Sequence, residues 1–211
     1  MKETNPTIQD IKAIRQMMED SSKFLSLSGL SGVAAGLTAI IGAAIAYYFV
    51  LDKGTIIYDE RMVDLYSNNT LSIRLGLFTT AVVVFIVAVT LAWWLSYRKA
   101  KKAKVSFWTH TAKKVMWSMV STLTVGGLFS LILIYHENIR LVASVMLIFY
   151  GLALIMASRY TQRDIQYLGY TEILLGLAAG LFLNFGLIFW TLGFGVFHII
   201  YGIVMYLKYD R

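Results

Sequence analysis

Six long apolar stretches, with basic residues gathered at alternate ends, decide what this chain can fold into. They lie near Phe24–Leu51, Ile73–Tyr97, Val115–Tyr135, Leu141–Ser158, Thr171–Phe189 and Trp190–Leu207. Each approaches the ~20 residues a helix needs to cross ~30 Å of hydrocarbon. The expected fold is an all-α integral membrane protein, a six-transmembrane-helix bundle of three sequential helical hairpins. Of the 19 Lys and Arg, 15 fall on one side of that arrangement. Lys53, Arg61, Arg74 and Arg140 remain for the other side. The positive-inside rule then places both termini in the cytoplasm.

Composition leaves no room for a soluble domain. Of 211 residues, 58% are hydrophobic and 15% charged, well outside the soluble globular average. The domain reading is a cytoplasmic amphipathic helix within residues 1–23, followed by a six-span membrane domain over 24–211. A net charge of +7 would suggest nucleic acid in a soluble protein. Here the excess is juxtamembrane, where it orients helices and attracts anionic lipid headgroups, so no nucleic acid is expected. The absence of cysteine excludes disulfides, thiolate metal sites and a Cys nucleophile. The polar N-terminus shows no cleavable signal peptide, so the first span is expected to stay as an anchor.

Ile8, Ile11, Ile14 and Met18 follow a three-to-four spacing that predicts an amphipathic helix over Ile8–Lys23, started by Pro6 and Thr7. A shorter one is expected around Tyr58–Tyr66. Pro6 is the single proline, so the spans should run unbroken. Gly32–Leu37 in span one echoes Gly176–Leu181 in span five, and Phe149–Leu152 in span four echoes Ile200–Ile203 in span six. Both members of each pair run the same way through the membrane, which fits duplication as well as chance.

Ser28, Gly32 and Gly36 fall every four residues on one face of span one, and Gly176, Gly180 and Asn184 do so in span five. Such small-residue faces let helix backbones approach closely. No Asp, Glu, Lys or Arg is expected in the middle of a span. Glu172 is placed at the cytoplasmic edge of span five, within reach of Arg159 or Arg163. That placement counts against a proton- or sodium-coupled transporter. His198, about 13 Å deep by helix rise, and Asn184 are the polar groups expected within the hydrocarbon. Tyr150 and Tyr201 add hydroxyls. Together they are the candidates for lining a cavity, against the plainer reading of a histidine bonded to a neighbour.

Gly29-Leu30-Ser31-Gly32 resembles the Gly-x-Ser-Gly of rhomboid intramembrane proteases. Ser31, about 10 Å deep, would then pair with His198 as a hydrolase. The serine stands in the first span instead of the fourth, and no matching His and Asn stand in the second. His110, His136 and His198 are too far apart to share an ion, so no metal or other cofactor is expected. Arg98, Lys99, Lys101, Lys102 and Lys104 follow a span directly. They read as a topology determinant touching lipid headgroups or an acidic partner.

The functional expectation is a non-enzymatic module of a bacterial inner membrane that binds or regulates a cytoplasmic partner or a second copy of itself. The alternative is a small-molecule or lipid transporter with a mostly neutral intramembrane cavity.

Overall fold

The computed structural model describes residue 11, residues 28–50 and residues 68–210. Apart from residue 11, the amphipathic helix expected over Ile8–Lys23 lies outside the described residues, as does the segment Tyr58–Tyr66. Among the described residues seven α-helices follow in order: α1 (Gly29–Ile45), α2 (Asn68–Lys102), α3 (His110–Tyr135), α4 (Val142–Ser158), α5 (Ile165–Leu181), α6 (Gly186–Trp190) and α7 (His198–Tyr209). Wider π turns extend α1 over Ala46–Val50 and join α6 to α7 over Thr191–Phe197, so α6 and α7 form one rod. No strand occurs among the described residues. Five of the rods, Gly29–Phe49, Leu75–Lys102, His110–Tyr135, Ile139–Ser158 and Leu183–Tyr209, are long and apolar enough to cross a membrane. Their outward faces are large and apolar, including Val83, Phe85, Ile86, Leu128 and Ile132. Exposed hydrophobic surface on this scale belongs in lipid, where a helix satisfies its own backbone. The chain is a multi-pass membrane protein.

Element boundaries differ from the sequence expectation in two regions that bear on the site. The Arg98–Lys114 loop shrinks, because α2 continues through Lys102 and α3 starts at His110. Arg and Lys are good helix formers and favour a helix C-terminus. Thr109 caps α3 by accepting a hydrogen bond from the Ala112 amide at 3.0 Å. More importantly, α5 begins at Ile165 instead of Thr171 and ends at Leu181 instead of Phe189. The chain reverses through the tight turn Leu183–Phe185. The polar stretch Arg159–Tyr170 reads as loop by composition. Yet Ile165, Leu168 and Gly169 are buried against neighbours and draw it into the helix.

The packing repeats itself. A methyl built on Gly202 of α7 would lie 2.5 Å from the Val33 amide nitrogen and 2.7 Å from the Gly29 carbonyl oxygen of α1. One built on Gly151 of α4 would lie 2.5 Å from the Gly169 carbonyl oxygen and 3.0 Å from the Ile173 amide nitrogen of α5. Likewise Gly36 faces the Gly195 carbonyl and Ile199, while Gly176 faces the Ser144 carbonyl and Ile148. Matched residues are 140 apart between α1 and α5, and 51 apart between α4 and the α6–α7 rod. One backbone-to-backbone crossing is therefore built twice. The sequence echo between spans four and six has this register, whereas the Gly32–Gly176 echo is one turn out, because Gly36 is the structural partner of Gly176. An outer helix flanks each crossing: α2 meets α1 where Val84 covers Gly42, and α3 meets α4 where Phe149 covers Gly126.

A buried glutamate and histidine where the two crossings meet

Glu172 lies near the middle of α5 and is 0% exposed. This corrects its expected place at the cytoplasmic edge: the earlier start of α5 carries it two turns inward. It occupies one buried face with Ile165, Leu168, Gly176 and Ala179. Leu147 of α4 and Gly193 of the π turn pack around it, and a side chain on Gly193 would strike the Glu172 Oε2 atom. His198, the first residue of α7, brings its Nδ1 to 3.4 Å from Glu172 Oε1. An ionisable pair is thus held inside the protein where the α6–α7 rod meets the α4–α5 crossing.

Hydrogen bonding assigns the imidazole. His198 Nδ1 is 2.9 Å from the Gly193 carbonyl oxygen, which only accepts, so Nδ1 carries a hydrogen and donates. In the neutral ring Nε2 then accepts, and the Tyr150 hydroxyl donates to it at 2.7 Å. The Tyr150 and His198 rings lie 5.2 Å apart, with Phe194 tilted against Tyr150 at 5.1 Å. A π turn, a form common at functional sites, leads directly into His198 and carries the Gly193 carbonyl.

The Glu172 oxygens accept no hydrogen bond among the described residues. A bare carboxylate in this setting costs several kcal/mol, so its charge is set jointly with the imidazole beside it. Three residues along α7, Tyr201 has a buried hydroxyl, also without a hydrogen-bond partner among the described residues. Tyr150 and Tyr201 pack on the same cluster of Leu154, Ile165 and Leu168.

Two carboxylates clasp the end of the bundle that carries the basic residues. Asp210, just past α7, accepts from the Gly29 amide at 2.9 Å and from the Ser28 hydroxyl at 3.1 Å. It also pairs with Lys99 of α2 at 2.6 Å. Asp164, just before α5, accepts from Lys208 at 2.7 Å and from the Tyr209 hydroxyl at 2.8 Å. These two hydrogen bonds, Lys208 first, hold the Asp164 carboxyl below the usual carboxylate range.

The other residues singled out in the sequence are scattered. Asn184 lies exposed in the turn beyond α5, fourteen residues along the chain from His198. Ser28 joins the Asp210 clasp, Gly32 and Gly36 face the rod, Gly176 faces α4, and Gly180 lies beside the Ser144 hydroxyl. Ser31 donates to the Ser28 carbonyl, while His198 is engaged by Tyr150 and Gly193, so the two form no nucleophile–base pair. His110 and His136 flank α3 at opposite ends. Arg98 stacks over Trp94 at 4.8 Å, and Lys101, Lys102 and Lys104 are exposed, whereas Lys99 turns inward to Asp210. No protein-family model matches the chain, and searches of curated proteins and of solved structures also found no match.

Proposed function

We propose that this protein is a non-enzymatic membrane module whose conformation is set by a proton held between Glu172 and His198. In this reading the module passes that conformation to a cytoplasmic partner or a second copy of itself. The observation that carries it is the fully buried carboxylate facing an imidazole between the two like crossings. An ionisable residue inside a membrane protein is costly and is kept for proton, ion or ligand traffic. Gain or loss of one proton changes whether the joint holds an ion pair or an uncompensated charge. Tyr150 from α4 faces the pair, and Tyr201 from α7 packs on the apolar cluster beside Tyr150.

The proposal includes six spans in three hairpins across a bacterial-type cytoplasmic membrane, with both termini inside. Support comes from the charge asymmetry and from Arg98, Lys101, Lys102, Lys113, Lys114, Arg159, Arg163 and Lys208, which share one end of the helices. Exposed Arg98, Lys101, Lys102 and Lys104 would meet anionic headgroups there. A reporter fused after Arg211 reads the orientation, and periplasmic activity would refute it.

Spin labels at Leu37 of α1 and Leu174 of α5, both exposed, test the conformational claim. In lipid nanodiscs their distance distribution is expected to change between about pH 5 and about pH 8, the range in which histidine pairs titrate. The Glu172→Gln variant should give one distribution throughout. A parent that does not change, or a variant that changes like the parent, refutes the reading.

One observation favours proton-coupled transport as a second reading. Parallel repeats with an ionisable site at their interface are a recurring transporter plan. The cavity would then be ionisable, not mostly neutral, and would not include Asn184. Solute-dependent proton uptake into vesicles, lost in Glu172→Gln, would establish transport over partner regulation.

A further inference from the structure

We propose that Tyr150 couples the proton to α4: its hydroxyl donates to neutral His198 and turns to accept when the ring is charged. The inference rests on the proton-binding reading of the site and names the residue that passes the signal on. Each link is a direct contact. His198 Nδ1 is committed to the Gly193 carbonyl at 2.9 Å, with Glu172 Oε1 beside it at 3.4 Å. An added proton can therefore enter the ring only at Nε2, the atom bonded to the Tyr150 hydroxyl at 2.7 Å. Nε2–H is then a donor, and two donors cannot share one bond. The Tyr150 oxygen keeps its own hydrogen, accepts from Nε2–H and swings that hydrogen away from the ring. The site gains one proton from water, and no other bond forms or breaks covalently.

The reversal leaves the Tyr150 hydrogen without its acceptor. Tyr150 stands eight residues before the end of α4, about 12 Å inside its rod, where hydrocarbon offers no replacement. An orphaned donor there favours any arrangement of α4 that gives it a partner. That is the difference in stability a proton needs to shift a conformation. The position suits the task. The next residue, Gly151, is where the α4 backbone meets Gly169 at the α4–α5 crossing. The Tyr150 ring lies 5.1 Å from Phe194 and 5.2 Å from His198, both on the rod that crosses α1. Among the described residues Glu172 from α5 and Tyr150 from α4 are the titratable groups facing the imidazole. Tyr201 packs on the apolar cluster beside Tyr150, α3 adds Met119 there, and α1 meets the rod with Gly36 and Ile40.

Infrared spectroscopy and nitrogen NMR of labelled histidine, on full-length protein in nanodiscs, test this between about pH 5 and about pH 8. The tyrosine C–O band differs between a donating and an accepting hydroxyl. In the parent, acidification should move one such band from the donor to the acceptor position. Glu172→Gln should abolish the move, and Tyr150→Phe should remove the band. Tyr150→Phe also removes the hydrogen that must be expelled. At a fixed pH its ratio of charged to neutral His198 should rise about tenfold, the factor for one orphaned hydrogen bond. The Leu37–Leu174 distance change should be lost even though the ring still titrates. A band that stays in place while parental His198 titrates overturns the coupling and leaves the proton site intact. So does a Tyr150→Phe protein with the parental ratio or the parental distance change. If that variant does not fold, the band in the parent decides alone. A His198 that stays neutral throughout in the parent overturns the site and the coupling together.

Discussion

Gly202→Val is expected to separate α1 from the α6–α7 rod and to cost about 3 kcal/mol or more, the upper range for overpacking. Even a methyl at this position meets backbone on the opposite helix, the Val33 amide and the Gly29 carbonyl. Backbone has no rotamer with which to yield, so the helices must part along their whole contact. Parting them also pulls the Gly29 amide and Ser28 from Asp210. Because the crossing is built twice, Gly151→Val should cost a similar amount through Gly169 and Ile173. Gly127→Val supplies the control, since a side-chain atom there meets nothing within 4 Å. Reversible unfolding in mixed micelles measures all three. If Gly202→Val proves as mild as Gly127→Val, the close crossing is wrong.

The second large effect is expected at the buried pair. His198→Leu leaves the Glu172 carboxylate with neither counter-charge nor donor, and losing one partner of a buried pair costs about 3–5 kcal/mol. It also strips the Tyr150 hydroxyl of its acceptor. Glu172→Leu should cost less, because His198 keeps its bonds to Tyr150 and Gly193. The double variant should be more stable than His198→Leu alone, since no unpaired charge remains. A double-mutant cycle in the same micelles measures the coupling. Additive losses would mean that the two side chains do not share their charge, and the proton-binding reading would lose its basis.

How the site escaped the sequence is instructive. Hydropathy places spans by the polar breaks between them. It fails between spans four and six, where α4 and α5 are joined by six residues and α5 and α6 by a tight turn. Setting span five at Thr171–Phe189 moved Glu172 to the membrane edge and Asn184 into its interior in one step. The useful signal was the buried face itself: Ile165, Leu168, Glu172, Gly176 and Ala179 recur every three or four residues, with the carboxylate in the middle. In a chain apolar on all sides, such a stripe is hidden, because lipid-facing and protein-facing residues look alike. Asn184-Phe185-Gly186, read as a turn, would have corrected the register.

The sequence by itself determined that this is a helical, multi-pass membrane protein, because twenty-residue apolar runs have no other stable setting. It also picked out His198, Tyr150 and Tyr201, since polar groups are scarce in such a chain. Which of them meet was decided by tertiary structure. Helix contacts in lipid depend on close backbone approach at particular glycines, and that geometry is set by registers four residues apart that hydropathy does not distinguish. Only with Gly36 opposite Ile199, and Gly176 opposite Ile148, does the π turn bring Gly193 and His198 onto Glu172.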